Sequence, residues 1–143
     1  MILTHSRFRH YQEVFYRKLL SVPFEVSLEI VSIDGTVPSS FMAEFVGERP
    51  RETKLYNFPA LYEREIPIRV REKYGLPKEV NGVVYLSPIS LKQKLGVEVL
   101  DWDKTKVHFA GKIQVIQKIE YLEPLYNSCI GVQLFVKDDL KGG

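Results

Sequence analysis

The sequence is poor in the side chains from which metal sites and nucleophilic active sites are built. It contains a single cysteine, Cys129, so no disulfide can form within the chain. Cys129 stands in the apolar run Cys-Ile-Gly-Val-Gln-Leu-Phe-Val, where we expect a small buried hydrophobic residue. The three histidines are scattered, whereas a metal site needs about three or four converging ligands. We therefore predict no metal ion and no cofactor.

The motifs that hold phosphates or activate a serine are also missing. Neither glycine-rich phosphate loop, GxxxxGK[ST] or GxGxxG, occurs, and there is no GxSxG motif. Glu63 and Glu65 alternate with arginines, which indicates a solvated, ion-paired strand edge rather than an acid–base pair. We therefore assign no catalytic residue and predict that the protein is not an enzyme. A small enzyme with a site made of ordinary residues stays an alternative, which a buried pocket with converging titratable groups would favour.

Long apolar segments are absent as well. No run approaches the roughly 20 apolar residues of a membrane-spanning helix. The N-terminal segment MILTHSRFRHYQ has no apolar stretch of signal-peptide length. We expect a protein that has no membrane partner and is used in the cytoplasm or assembled there into something larger.

What the chain does contain is typical of one β-rich domain. Its 143 residues fit a single domain spanning 1–143. Aromatic residues make up 12% of the chain, mostly Tyr and Phe, and they favour pleated, half-buried surfaces. Turn signals recur roughly every ten residues between short alternating segments. These features predict a mainly β fold, a small antiparallel β-barrel or sandwich, with an N-terminal α-helix that covers one face or one open end.

The N-terminal helix is predicted over residues 6–21. Its apolar residues recur at spacings of three and four, which places them on one helical face: Phe8, Tyr11, Phe15 and Leu19. Pro23 ends the helix, because proline lacks a backbone N–H donor. The β-rich body follows over residues 24–137.

The body is predicted to consist of short strands joined by turns. In the alternating segment 24–33, one face carries Phe24, Val26, Leu28 and Ile30. The other strands are predicted at 40–47, 61–72, 83–87, 105–110, 113–122 and 129–137. The connections are an extended loop at 48–60, a hairpin turn at Asn81-Gly82, a short helix at 89–95, a turn with a docked Trp102, and a short polar tail at 138–143.

Positive charge is concentrated at the N-terminus. The net charge is +2, and the first 23 residues alone contribute +3. Their cations, interleaved with aromatic residues, are Arg7, Arg9, Arg17 and Lys18. Cations neutralise phosphates and rings stack on bases, so one alternative function is a nucleic-acid-binding β-barrel module that uses this basic segment. We favour an amphipathic helix packed on the sheet, because the aromatic residues fall at core spacing.

The second half of the chain resembles a family of phage structural proteins. The residues that carry the resemblance are Asn81-Gly82-Val83-Val84-Tyr85-Leu86-Ser87-Pro88 and Asp103-Lys104-Thr105-Lys106-Val107-His108-Phe109-Ala110-Gly111-Lys112. The long strand Ile113 to Leu122 and an amphipathic last strand follow. This succession of strand, glycine turn and strand, over roughly residues 80–143, is similar to the head-to-tail connectors of tailed phages, known as adaptor, stopper or head-closure proteins.

The resemblance implies a non-enzymatic structural protein of a phage neck or head–tail junction. Such proteins are often small β-barrels that form a ring between portal and tail and help to retain packaged DNA. The implied partners are copies of the chain in a ring, portal or adaptor and tail proteins, and packaged DNA, with no small-molecule substrate. The implied location is the virion, after assembly in the host cytoplasm. The family carries no catalytic residues that could be transferred to this chain.

Partner contacts are predicted in three places. The loop at 48–60 holds apolar residues that could dock onto a neighbouring subunit: Leu55, Tyr56 and Phe58. The tail offers Asp138, Asp139 and Leu140. A ring needs two complementary surfaces on each subunit. As a hypothesis, Arg7 and Arg9 of one copy pair with the acidic tail residues of the next.

Overall fold

The computed structural model of the chain describes residues 5–22, 24–33, 51–97, 100–123 and 129–139. Within these ranges the helices are α1 (His5–Ser21), α2 (Ile68–Tyr74) and α3 (Pro88–Leu95), and a 3₁₀ turn covers Trp102–Lys104. The strands are β1 (Glu25–Ile33), β2 (Arg51–Pro59), β3 (Leu61–Glu63), β4 (Val80–Leu86), β5 (Lys106–Phe109), β6 (Lys112–Leu122) and β7 (Gly131–Asp138).

All described strands belong to one sheet in the order β2-β1-β5-β6-β7-β4-β3, and every neighbouring pair is antiparallel. β2 and β3 are the two edges, yet only Ala60 separates them in the chain. Two residues of extended chain span at most about 7 Å. The two edges therefore meet at Ala60, and the sheet must curl to bring them together.

The predicted fold class is confirmed, since one antiparallel sheet dominates the structure and a helix precedes it. Among the described residues no ladder of hydrogen bonds joins β2 to β3. The sheet is therefore not closed, and the β-barrel stays a prediction. None of the helices in the described part of the chain has the length and apolar character that crossing a lipid bilayer requires.

The main core fills the concave side of the sheet. It is drawn from β1, β2, β4, β5 and β7 together with α3 and the 3₁₀ turn: Val26, Leu28, Ile30, Phe58, Ala60, Val84, Leu86, Leu91, Leu100, Trp102, Val107, Cys129, Val132, Leu134 and Val136. The Trp102 indole is 4% exposed and its Nε1 donates a hydrogen bond to the Tyr121 hydroxyl at 2.8 Å. The predictions of a buried Cys129 and a docked Trp102 are confirmed.

A second, smaller cluster lies under α2. It consists of Ile66, Val80, Val83 and Phe135, with Tyr74 of α2 packed against it. Phe135 alternates with Leu134 and Val136 of the main core, so β7 is buried on both faces. A strand buried on both faces has a near-continuous apolar sequence, which explains the apolar run that begins at Cys129 and continues through β7.

Helix α1 confirms the predicted N-terminal helix, but its buried face is shifted. Phe8 and Leu19 are buried, whereas Tyr11 is 41% exposed and Gln12 takes its place at 5% exposure. A polar side chain is accepted there because the Gln12 amide donates a buried hydrogen bond to the Cys129 carbonyl at 2.7 Å. The helix is thus fastened to the segment that enters β7.

The same end of β7 accepts the Phe15 ring. Gly131 leaves room for it, because a Cβ atom at this position would lie 2.7 Å from two carbons of the Phe15 ring. Apolar contacts in proteins rarely come closer than about 3.5 Å. Glycine at 131 is therefore a packing requirement for the docked helix.

The predicted loop at 48–60 is wrong, since residues 51–59 form β2. Its nine residues pair with β1 from Arg51↔Ile33 to Pro59↔Glu25. The charges and Pro59 that suggested a loop are tolerated because β2 is an edge strand. The predicted strand at 40–47 and residues 48–50 lie outside the described residues.

Two further predictions are corrected. The strand predicted at 61–72 ends at Glu63, and Pro67 is the N-cap residue directly before α2, where its missing N–H donor removes no hydrogen bond of the helix. Asn81-Gly82 is not a hairpin turn but lies inside β4, where the pairing with β7 shifts register between Val80 and Gly82. Neither Asn81 nor Gly82 adopts the positive φ that the predicted turn requires, and glycine at 82 is instead needed to make room for the Tyr62 ring.

The remaining elements agree with their predictions. Helix α3 begins where the Ser87 hydroxyl accepts the Ile89 N–H at 3.1 Å, and it ends at Gly96 in the left-handed conformation. The β5–β6 hairpin turns at Ala110-Gly111, one residue earlier than predicted. Asp138 belongs to β7 rather than to a tail, and residues 140–143 lie outside the described part of the chain.

The contact between Gln12 and Cys129 generates a stability prediction. Gln12→Met keeps the volume of the side chain but removes the buried hydrogen bond, and we expect a loss of about 1–2 kcal/mol in the free energy of unfolding. Urea denaturation followed by circular dichroism measures the loss. Gln117→Met on the exposed side of β6 is the matched control and should be neutral. Equal stability of the two variants would show that α1 is not fastened through Gln12.

Candidate functional site

The strongest polar constellation lies at the β5–β6 hairpin. In the antiparallel pairing, Val107 of β5 stands opposite Gln114 of β6, so both face the same side of the sheet. Val107 is fully buried in the main core, and Gln114 is only 1% exposed. An amide thus occupies a position at which the neighbouring strand places an apolar side chain. The next pair on the same side of the sheet, two positions closer to the turn in each strand, is Phe109 and Lys112.

Gln114 is held by three side chains from three different strands. Its Nε2 donates to the Asn81 Oδ1 at 2.9 Å and to the Asp138 Oδ1 at 3.2 Å. Its Oε1 accepts the hydroxyl proton of Tyr62 at 2.7 Å. Both amide hydrogens are therefore used, and the orientation of the amide is determined by its partners.

Asp138 is the charged member of this network. Hydrogen bonds from Asn81 and then from Gln114 lower the pKa of its carboxyl, and the nearby charge of Lys112 adds to this effect. Hydrogen bonds to an ionised carboxylate favour the charged form, so Asp138 is an anion at neutral pH. Asn81 stands at the register shift between β4 and β7, where it has no partner residue opposite it in β7.

Tyr62 connects the network to an aromatic wall. Its ring stacks on Phe109 with centroids 4.2 Å apart, and Phe24 meets Phe109 edge-on at 6.3 Å. A Cβ atom on Gly82 would lie 2.4 Å from the Tyr62 hydroxyl, so glycine is required for Tyr62 to reach Gln114. Burial raises the pKa of the Tyr62 hydroxyl, which keeps it protonated and able to donate.

A cavity of about 250 Å³ opens beside this wall. It is lined by Tyr62, Arg64, Asn81, Phe109, Ala110, Lys112 and Gln114, and we call it the hairpin pocket. Gln114 and Asn81 supply its polar side and Phe109 its apolar side. Arg64 and Lys112 are exposed and bring two positive charges to it.

A second, more open cavity of about 850 Å³ lies between α1 and α3. Ser6, Arg9, His10, Gln12 and Glu13 of α1 line it together with Ile89, Lys92 and Gln93 of α3. The Tyr16 hydroxyl donates to the Gln93 Oε1 at 3.3 Å and ties the two helices together beyond the cavity. We call this cavity the helix groove.

The predicted partner residues on β2 do not share one environment. Leu55 is 58% exposed and stays a candidate contact, whereas Phe58 is fully buried in the main core. Tyr56 is half-buried and packs against the same core. The alternation of β2 explains the difference, because an exposed Leu55 alternates with core-facing neighbours. Phe58 is therefore withdrawn from the partner surface.

The predicted acidic tail is also corrected. Asp138 is held in the Gln114 network, and Asp139 forms an ion pair with Lys106 at 2.8 Å with its side chain 9% exposed. Both carboxylates are engaged within the domain, so the hypothesis that they pair with Arg7 and Arg9 of another copy loses its basis. Arg7 and Arg9 lie on exposed positions of α1, and Leu140 lies outside the described residues.

The central residue, Gln114, was not among the predicted site residues. Gln114 alternates with Ile113 and Val115, a pattern that predicts a solvent-facing position, so no local signal marked it as buried. Tyr62 and Asn81 could not be connected to it, because their proximity depends on strand pairing between distant segments. In the part of the chain that the structure describes, no three His, Cys, Asp or Glu side chains converge as metal ligands.

Comparison of the chain with protein-family models and with curated proteins finds no match to either.

The lowered pKa of Asp138 generates a prediction about acid stability. Stability from this ionised carboxylate is present above its unfolded pKa, which is close to 4, and is lost as the pH falls through the lower folded value. We expect Asp138→Asn to be less stable than the wild type at pH 7, and we expect this difference to shrink as the pH falls below the unfolded pKa. Urea denaturation at a series of acidic pH values and at pH 7 measures this. The exposed Asp103→Asn should change little across the series. A constant difference between Asp138→Asn and the wild type would mean that the charge is not what stabilises the network.

Proposed function

We propose that the chain is a structural subunit of a phage neck or head–tail junction, which assembles side by side with copies of itself into a ring between portal and tail and helps to retain packaged DNA. The resemblance of residues 80–143 to connector proteins suggests this function. A curled antiparallel sheet with a glycine turn between β5 and β6 is compatible with it. The ring, its partners and its place in the virion are the proposal.

One observation carries the proposal furthest: two separate parts of the surface each bear an exposed large apolar side chain. Leu55, 58% exposed, lies on the edge strand β2. Ile68, 75% exposed, begins helix α2, five residues after the edge strand β3 ends. An exposed apolar side chain is a point at which association with another chain can bury surface. A ring requires two different surfaces on each subunit, and β2 and α2 offer two different surfaces.

This geometry generates a prediction about assembly. We expect the protein to form oligomers at high concentration, and we expect Leu55→Lys and Ile68→Lys each to shift it to the monomer. An equimolar mixture of the two variants should form dimers and nothing larger, because each variant retains the surface that the other lacks. Sedimentation velocity of the single proteins and of the mixture measures this.

Leu20→Lys is the matched control, since Leu20 is a leucine of similar exposure, 53%, that lies on α1 rather than on β2 or α2. This variant should assemble like the wild type. Failure of the mixture to form dimers would exclude a head-to-tail contact between the β2 surface and the α2 surface. A wild type that stays monomeric at all concentrations would remove self-assembly as the basis of the proposal.

The phage assignment needs a separate experiment. Affinity purification of the tagged protein from its native source, followed by negative-stain microscopy and mass spectrometry, identifies what accompanies it. We expect ring-shaped particles with portal or tail proteins. Recovery of the chain alone, or with nucleic acid that is released by salt, would contradict a neck protein.

A nucleic-acid-binding module remains the second candidate, and the helix groove favours it. Arg9 and His10 of the basic N-terminal segment line this groove, and α3 adds Lys92 from the opposite side. The groove therefore places cations from two helices along one open surface. Cations spaced along a surface bind the phosphate backbone in a sequence-independent manner.

This candidate generates its own prediction. Single-stranded DNA should bind with an affinity that falls steeply as salt rises, and Arg9→Gln or Lys92→Gln should weaken binding several-fold and reduce the salt dependence by about one counterion each. Fluorescence anisotropy of a labelled oligonucleotide measures both. Lys78→Gln, an exposed cation away from the groove, is the control. Binding that is absent, or equally affected by all three variants, would remove this candidate.

A further inference from the structure

The hairpin pocket combines features that the proposed ring does not use. Its lining residues come from β4, β5 and β6, from the turn between β5 and β6, and from the segment around β3. Side chains that are distant in sequence thus converge on one concave surface of about 250 Å³. Ligand sites typically have this character, an apolar wall with a few convergent polar groups.

Two cations border the pocket. Arg64 follows β3 and Lys112 begins β6, so different elements bring them to the same cavity. No ion pair joins either of them to a carboxylate of the described residues. Asp138 lies near Lys112 and attenuates its charge, but this carboxylate already accepts hydrogen bonds from Asn81 and Gln114. A guanidinium and an ammonium together match the charge of a phosphate monoester, which is close to two negative charges at neutral pH.

The wall of the pocket offers a hydroxyl group and apolar surface to the part of such a ligand that carries no phosphate. Because Tyr62 donates its proton to Gln114, the oxygen of its hydroxyl keeps lone pairs that can accept a hydrogen bond. Phe109 and Ala110 offer apolar contact beside it. The ligand that fits therefore carries a hydroxyl and some apolar surface in addition to its anionic group.

We propose that the hairpin pocket binds a small phosphomonoester, with its phosphate held by Arg64 and Lys112 and its organic part against Phe109 and Tyr62. The size of the pocket supports this class of ligand. It exceeds the space of a bare phosphate ion, and it lies below the range of about 300–1,000 Å³ that is common for sites of larger ligands. The phosphate can belong to a free metabolite or to the phosphorylated end of a nucleic acid, and the two sources share the same chemistry at the pocket.

The test is a titration of the isotope-labelled protein followed by nuclear magnetic resonance. The probes are a nucleoside 5′-monophosphate, the same nucleoside without phosphate, and inorganic phosphate, all at constant ionic strength. We expect the monophosphate to cause saturable shifts at the amides of residues 109–114, with weaker binding of inorganic phosphate and none of the nucleoside. Arg64→Gln and Lys112→Gln should each weaken binding by about tenfold, as loss of a charged hydrogen bond implies.

Lys78→Gln is the matched control, because Lys78 is an exposed cation that lines neither the helix groove nor the hairpin pocket. It should bind the monophosphate like the wild type, while unchanged spectra elsewhere verify that the variants fold. No saturable shift at residues 109–114, or shifts that survive in Arg64→Gln and Lys112→Gln, would overturn the proposal.

A final experiment compares an oligonucleotide with and without a 5′-phosphate. Phosphate-dependent binding tighter than that of the mononucleotide identifies a nucleic-acid end as the source, and equal or weaker binding identifies a free metabolite.

Discussion

The placement of Ala60 between the two edge strands is the constraint on which the rest of the fold depends. One residue joins β2 to β3, although five strands lie between them in the sheet. The sheet must curl until its edges meet there, and a curled sheet has an inner side that one set of apolar side chains can fill. Ala60 is fully buried at this junction, and its N–H donates to the Phe24 carbonyl at 3.3 Å. A bulky residue at this point would push the edges apart.

The curl explains why local patterns predicted some parts of the structure and not others. Helix α1, helix α3 and strands β1, β6 and β7 carry their signals within a few residues, such as Ser87-Pro88 at the start of α3. The charges and Pro59 of β2 predict a loop because they are tolerated only at a sheet edge, and edges are defined by the whole topology. Asn81-Gly82 predicts a turn, but glycine is needed at 82 because the Tyr62 ring from a distant strand packs against it.

The candidate site also combines features that local sequence patterns predict with features that depend on the whole sheet. The alternation of β6 predicts that Gln114 faces solvent, whereas it is buried with partners from β3, β4 and β7. Those contacts exist only after the sheet has formed and curled. The N-terminal cations, by contrast, are visible in the sequence, and Arg9 lines the same groove as Lys92 of α3. Local patterns did not predict which of the proposed partner residues are accessible. Leu55 is exposed, whereas Phe58 is buried and Asp139 is paired with Lys106.

Burying the Gln114 amide costs more free energy than burying an apolar side chain at the same position, and this cost bears on function. An apolar side chain opposite Val107 would continue the core, whereas the buried Gln114 amide must be desolvated and then fully hydrogen-bonded. Such networks contribute little net stability, but when every member is satisfied they hold side chains in one orientation. Here they hold the Tyr62 ring against Phe109 and direct the Tyr62 proton toward Gln114. Gly82, which leaves space for the Tyr62 hydroxyl, belongs to the same arrangement. A wall organised at this cost beside two cations is better explained by a ligand that needs it than by the stability of the sheet.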